Sequence, residues 1–110
     1  MINLWRDNMK QQPEITPVIF RKYRNEPQFI VAIFPTLPGD MNISTCVCYE
    51  HTGQHGVCDI RWMQTTLPAT PEEYENLLDE LQIIGYDNLK IYKRMVQWFW
   101  NARMSALWGG

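Results

Sequence analysis

Two runs rich in β-branched and aromatic residues, Val18-Ile-Phe-Arg-Lys-Tyr-Arg24 and Gln28-Phe-Ile-Val-Ala-Ile-Phe34, flank the turn-like triplet Asn25-Glu26-Pro27. Side chains of these types fit a pleated, half-buried surface, and a short polar break between two such runs signals a β-hairpin. The rest of the chain has to be arranged around this hairpin. Pro35-Thr-Leu-Pro-Gly-Asp40 is expected to close its second strand, because prolines cannot donate to a ladder and Gly-Asp favours a turn. Strand composition resumes from Asn42 to Tyr49. There the period of two sets Ser44, Cys46 and Cys48 on one face and Thr45, Val47 and Tyr49 on the other.

The sharpest boundary is Thr70-Pro71-Glu72-Glu73. A threonine cap, proline at the first helical position and glutamate three residues after the cap satisfy the free amides of a helix N-terminus and suit its dipole. Tyr74, Leu77, Leu78, Leu81 and Ile84 follow at helical spacing, and Gly85 supplies a left-handed stop. Asp59 can cap a short helical turn over Ile60 to Gln64, with a strand as the competing reading. Asn88 to Lys93 reads as a further strand and Val96 to Leu107 as a terminal helix. A single helix from Leu89 onward is the alternative, since good helix formers dominate there. The resulting fold class is α+β: an antiparallel sheet of three or four strands, one well-capped helix packed on it, and a C-terminal aromatic helix. Residues 1–16 read as an N-terminal arm, 17–94 as the core domain, and 95–110 as the aromatic helix, either part of that domain or an oligomer interface.

At 110 residues the chain can bury one modest core. No apolar run approaches the length that crosses a bilayer, and the start Met1-Ile-Asn-Leu-Trp-Arg-Asp7 lacks the layout of a secretory signal, so a soluble, cytoplasmic protein is expected. The three cysteines, Cys46, Cys48 and Cys58, are odd in number and closely spaced, which favours thiols over a disulfide framework. The formal net charge of −2 provides no basic field for duplex DNA. Charge is nevertheless segregated, with Arg21, Lys22 and Arg24 in one cluster, Glu72, Glu73, Glu75, Asp79 and Glu80 in a second, and Lys90, Lys93, Arg94 and Arg103 in a third.

Two stretches carry a resemblance: Thr45-Cys-Val-Cys-Tyr-Glu-His-Thr-Gly-Gln-His-Gly-Val-Cys-Asp59, and Pro68-Ala-Thr-Pro-Glu-Glu-Tyr74 with Ile84-Gly-Tyr-Asp-Asn-Leu89. Over roughly residues 17 to 94 the chain resembles a family of small proteins of bacteriophages and bacterial mobile elements, with a Tyr-x-His-x-Gly-Gln-His-Gly loop and the same helix start. The resemblance implies a setting in a bacterial host cell. Small phage proteins without catalytic signatures often act against host defence, by binding a host protein or by sequestering a nucleotide signal.

The polar segment from Cys46 to Asp59 is the expected site. Gly53 and Gly56 bracket Gln54 and His55 in what reads as a tight turn. His51, Gln54, His55 and the turn amides are then hydrogen-bond donors, and Arg21, Arg24 or Arg61 supply positive charge. Tyr23, Tyr49 or Trp62 can stack on a base. The expected ligand is small, anionic and nucleotide-like, bound without catalysis and without a cofactor. The bland alternative has the histidines satisfying the loop's own carbonyls and the arginines forming a solvated strand face.

Cys46, Cys48, His51, His55 and Cys58 also make a Cys/His cluster with donors that zinc prefers. A Cys-His nucleophile built on Cys46 with His51 or His55 is a further option. Finally, the run Met95-Val-Gln-Trp-Phe-Trp-Asn-Ala-Arg-Met-Ser-Ala-Leu-Trp108 holds more large apolar residues than one helix face can bury, which marks an interface. Homo-oligomerisation or capture of a host protein is expected there, unless Trp98, Phe99 and Trp100 simply cover the open face of the sheet.

Overall fold

The computed structural model describes residues 15–50 and 53–109. The expected arm therefore lies, except for Ile15 and Thr16, outside the described residues, as does His51. Among the described residues six strands and three helices follow one another: β1 (Thr16–Lys22), β2 (Ile30–Pro38), β3 (Thr45–Glu50), β4 (Gln54–Asp59), α1 (Ile60–Met63), β5 (Leu67–Pro68), α2 (Pro71–Ile84), β6 (Leu89–Tyr92) and α3 (Gln97–Trp108). The α+β class holds, with more strands than the three or four expected.

Across the sheet the order is β4-β3-β2-β1, and the far edge of β1 is shared. Its Arg21 and Lys22 pair antiparallel with β5, while Thr16 to Ile19 pair with β6 in the sheet's parallel ladder. The hairpin read from sequence is β1–β2, closed by Ile19↔Ile33 through Lys22↔Ile30. The strand and helix expected after Gly85 are both present, so the single-helix alternative fails.

Strand alternation builds two apolar layers. Val18, Phe20, Ala32, Phe34 and Tyr49 face α2 and meet Leu77 and Leu81. Ile19, Val31, Ile33, Cys46, Cys48 and Cys58 face the other way and meet Met63 of α1 and Phe99 of α3. The expected division of β3 between Cys46/Cys48 and Val47/Tyr49 is thus the division between the two layers. Each fully buried aliphatic or aromatic side chain here stabilises the fold by about 1.5–3 kcal/mol relative to exposure.

Helix α2 has the full capping box. Thr70 Oγ1 accepts from Glu73 N at 3.3 Å and Glu73 Oε1 accepts from Thr70 N at 2.8 Å. At the other end Tyr86 N donates to Leu81 O and Gly85 N to Gln82 O, the paired bonds of a Schellman stop, with Gly85 at φ 127°. Leu77 and Leu81 are buried as spaced, but Ile84 turns outward and is 47% exposed.

Two expectations about the strands need correcting. β2 does not end at Pro35 and runs to Pro38, because the ladder breaks inside it: the register with β3 shifts between Phe34 and Pro38. That irregularity accommodates the missing proline donor. The turn expected between Gly53 and Gly56 also lies earlier: Gly53, at φ 84° with its amide bonded to Glu50 O, directly precedes β4. Gln54, His55 and Gly56 then form an antiparallel edge strand opposite Glu50, Tyr49 and Cys48. Its exposure hid it in the sequence, since no apolar alternation marks it.

Arg103 of α3 closes the second layer. It is 1% exposed, donates from Nε to Ile43 O at 2.9 Å and from Nη1 to Pro35 O at 2.5 Å, and lies over the Trp100 ring. The sequence grouped it with solvent-facing cations. Instead it serves carbonyls beside the β2 irregularity.

Candidate functional site

The sheet divides the residues expected to meet a ligand. Tyr49 and His55 are directly opposed across β3 and β4 and therefore share the α2 face, where their rings meet edge-on at 4.9 Å. Around them stand Glu80 and Tyr86. Tyr49 Oη donates to Glu80 Oε2 at 2.5 Å, and His55 Nε2 lies 2.8 Å from Tyr86 Oη. The Glu80 carboxylate, which accepts that proton, raises the Tyr49 hydroxyl above its ordinary pKa, and burial raises Tyr86. Tyr86 stacks on Phe34 at 4.8 Å. The histidine is exposed but partnered by its own chain, and its backbone belongs to a strand and not to a cradle of free amides. Neither Glu80 nor Tyr86 was named as a site residue from sequence. Tyr86 carried a legible signal, since the residue after a Schellman glycine normally packs back on its helix.

The arginines lie on the opposite face or at its rim. Arg21 is structural: Nε donates to Thr66 Oγ1 at 2.9 Å, and Nη2 donates to Thr66 O at 2.7 Å and Met63 O at 3.4 Å. Burial lowers its pKa from the ordinary value. Arg61 forks onto Asp59 through Nε and Nη2 at 3.0 and 2.8 Å, and this contact holds the Asp59 carboxyl down to about 2. Asp59 Oδ1 also accepts from Arg61 N at 2.8 Å, the expected cap of α1.

Arg24 is differently placed. It stands in the β1–β2 turn and spends Nε on Thr65 O at 3.4 Å. Beside it an open cleft of about 380 Å³ is lined by Tyr23, Arg24, Glu26, Trp62, Thr65 and Thr66. Tyr23 and Trp62 meet edge-on at 5.7 Å, and Tyr23 Oη donates to Glu50 Oε1, so the aromatic wall is fixed from two sides. Burial, then the Glu50 carboxylate, pushes the Tyr23 hydroxyl up to about 12. Gln54, opposite Glu50, is exposed at the same end of the sheet. Of the expected set, the structure therefore brings together Arg24, Tyr23 and Trp62, and it separates them from His55 and Tyr49.

The cysteine–histidine cluster is divided in the same way. Cys46, Cys48 and Cys58 lie in the α1/α3 layer, whereas His55 lies on the α2 face. The described members of the expected zinc set consequently do not converge on one point, and among the described residues no three His, Cys, Asp or Glu side chains do so. Cys46 has no described histidine beside it, and burial pushes its thiol up to about 11, away from the thiolate that a nucleophile needs.

Among the described residues no helix is long and apolar enough to cross a membrane. No family profile, curated protein or solved structure matches the chain.

Proposed function

We propose that this chain is a non-enzymatic binding protein for a small anionic, nucleotide-like ligand, held in the cleft between the β1–β2 turn and α1. The observation that carries this reading is that a guanidinium and an immobilised aromatic pair, Arg24 with Tyr23 and Trp62, line one cleft of about 380 Å³. That volume is of the order of small-molecule sites, roughly 300–1,000 Å³. A guanidinium offers a fork of donors to a phosphate, and an aromatic face accepts a base by stacking. The exposed Thr65 supplies a hydroxyl at the rim. The biological setting we infer, sequestration of a nucleotide signal by a phage counter-defence protein in a bacterial cytoplasm, draws its support from the Gln-His-Gly motif resemblance.

The test is calorimetric titration with mono-, di- and cyclic nucleotides, together with native mass spectrometry of protein purified from cells. Binding that disappears in Arg24→Ala and in Trp62→Ala, with folding unchanged, is the expected result. Binding that survives both variants overturns the assignment of the cleft.

A second reading, an interaction protein acting through α3 on a host protein or a second copy, is favoured by exposed Trp98, Met104 and Trp108. Phe99 is buried against the sheet, so α3 covers the sheet with one side and leaves aromatic surface on the other. Size-exclusion chromatography with light scattering tests the self-association arm. A monomer at every concentration counts against it.

A further inference from the structure

The sheet has two edges, and they are built differently. At one, the edge of β1 is shared by β5, two residues long and holding Pro68, and by β6, four residues long and holding Lys90. Short length, proline and lysine are the usual means by which an edge avoids pairing with another chain. At the other, β4 presents six residues in unbroken register with β3, with no proline, lysine or bulge among them. Gln54, His55, Gly56 and Val57 are all exposed, Val57 by 52%.

The direction of the backbone groups along β4 follows from the bonds at its end. Ile60 N donates to Ser44 O. Thr45, opposite Asp59, instead spends its N–H on Asn42 O and accepts at its carbonyl from Gly39 N, away from β4. Antiparallel ladders alternate, so Gln54, Gly56 and Cys58 turn their backbone groups toward β3, and His55, Val57 and Asp59 turn theirs outward. Because β4 ends the sheet, that outward set has no strand beside it among the described residues.

We infer that this edge pairs with β4 of a second copy, antiparallel, about a two-fold axis that passes through Val57 normal to the sheet. Only that centring maps the outward set onto itself: Val57 opposes Val57, and His55 opposes Asp59 twice by symmetry. Strand alternation puts the three side chains on one face, the α2 face that His55 shares with Tyr49. Charge favours this partner. His55 Nε2 is held by Tyr86, which leaves Nδ1 to meet the Asp59 carboxylate across the join. That carboxylate carries the Arg61 fork and still has lone pairs to offer. No like charges are opposed, as they would be in a pair centred on Asp59. Apolar surface adds to the ladder. A Cβ on Gly39 would lie 2.6 Å from Val57 Cγ1, so the turn that bears Met41, 71% exposed, flanks the join. The inference is independent of the ligand cleft and uses a surface other than α3.

The test is sedimentation velocity of the full-length chain over a range of concentrations, with hydrogen exchange read on β4 peptides in the same series. A dimer is expected, with exchange of the β4 amides slowing as concentration rises. Val57→Lys sets two ammonium groups face to face at the axis, and Val57→Pro removes an amide that points away from β3. Each should weaken dimerisation at least about tenfold, with the fold kept by circular dichroism. Trp108→Glu, on the exposed side of α3, should leave the dimer unchanged. A monomer at every concentration overturns the proposal, as does a dimer that survives both Val57 variants or is lost in Trp108→Glu. A dimer whose β4 exchange does not change with concentration overturns it too, and that readout on the parent chain decides the matter even if a Val57 variant fails to fold.

Discussion

Arg103 Nη1 donates to the carbonyl oxygen of Pro35 at 2.5 Å, which ties α3 to the stretch of β2 where the strand register shifts. The same guanidinium serves Ile43 O, so one side chain satisfies two carbonyls that the β2–β3 ladder does not pair. Among the described residues no buried side-chain nitrogen or oxygen lacks a partner, and Arg103 belongs to that accounting. Replacing it with methionine keeps the bulk and removes the donors, leaving both carbonyls unmet at about 1–3 kcal/mol each. Arg103→Met should therefore cost about 3 kcal/mol in urea unfolding, and Arg103→Lys, which lacks the fork, should not restore it. A loss below about 1 kcal/mol would show that water replaces the guanidinium.

Acid stability should depend on a contact between β1 and α2. Lys22 Nζ lies 2.8 Å from Glu73 Oε2, and this contact, followed by the Thr70 amide, holds the Glu73 carboxyl down to about 2 from 4.5. A folded pKa below the unfolded one adds stability above the unfolded value, and that stability is lost as pH falls through the folded value. The window is then pH 4.5 to about 2. Asp59, lowered by Arg61 to about 2, contributes over nearly the same range. Lys22→Met should flatten the acid limb of a stability–pH profile measured by thermal melts. An unchanged limb would assign the acid response to other carboxylates.

How far these contacts were legible depends on whether their cause is local. The start and stop of α2 were readable because Thr70, Pro71, Glu73 and Gly85 act on backbone groups a few residues away. The two faces of β3 were readable because alternation places Cys46 and Cys48 together whatever lies above them. β4 was not: Gln54, His55 and Gly56 are exposed, and it is pairing to β3 that makes them a strand. The parallel direction of β6 and the burial of Arg103 likewise come from partners about 70 residues distant in sequence. The site followed the same rule. Arg24, Tyr23 and Trp62 were each named for the chemistry they could do, but their grouping apart from His55 is set by the sheet.

A turn glycine gives a separate test of β3 placement. A Cβ on Gly39 would lie 2.6 Å from Val57 Cγ1 and 2.8 Å from the carbonyl oxygen of Cys46. The valine can rotate, but the Cys46 carbonyl is fixed in the ladder with β4, so backbone must shift. Gly39→Ala should destabilise by about 1–3 kcal/mol, as overpacking does elsewhere. The check is urea unfolding, and Gly53→Ala is a poor control because its own φ of 84° adds strain. A neutral Gly39→Ala would mean that the β2–β3 connection yields at little cost.

The histidine that most suggested a site in the sequence gives the sharpest discrimination. His55 lies on the α2 face against Tyr49 and Tyr86, whereas Arg24 and Trp62 line a cleft beyond the opposite face. If the ligand occupies that cleft, His55→Ala should leave nucleotide affinity within about twofold of the parent, while Arg24→Ala loses at least about tenfold, the equivalent of one charge-assisted hydrogen bond. His55→Ala should also cost less than about 1 kcal/mol of stability, because its contact to Tyr86 is open to water. Both quantities come from one set of calorimetric titrations and melts. The reverse pattern, with binding lost in His55→Ala and kept in Arg24→Ala, would move the site across the sheet to the Tyr49–Glu80 and His55–Tyr86 pairs.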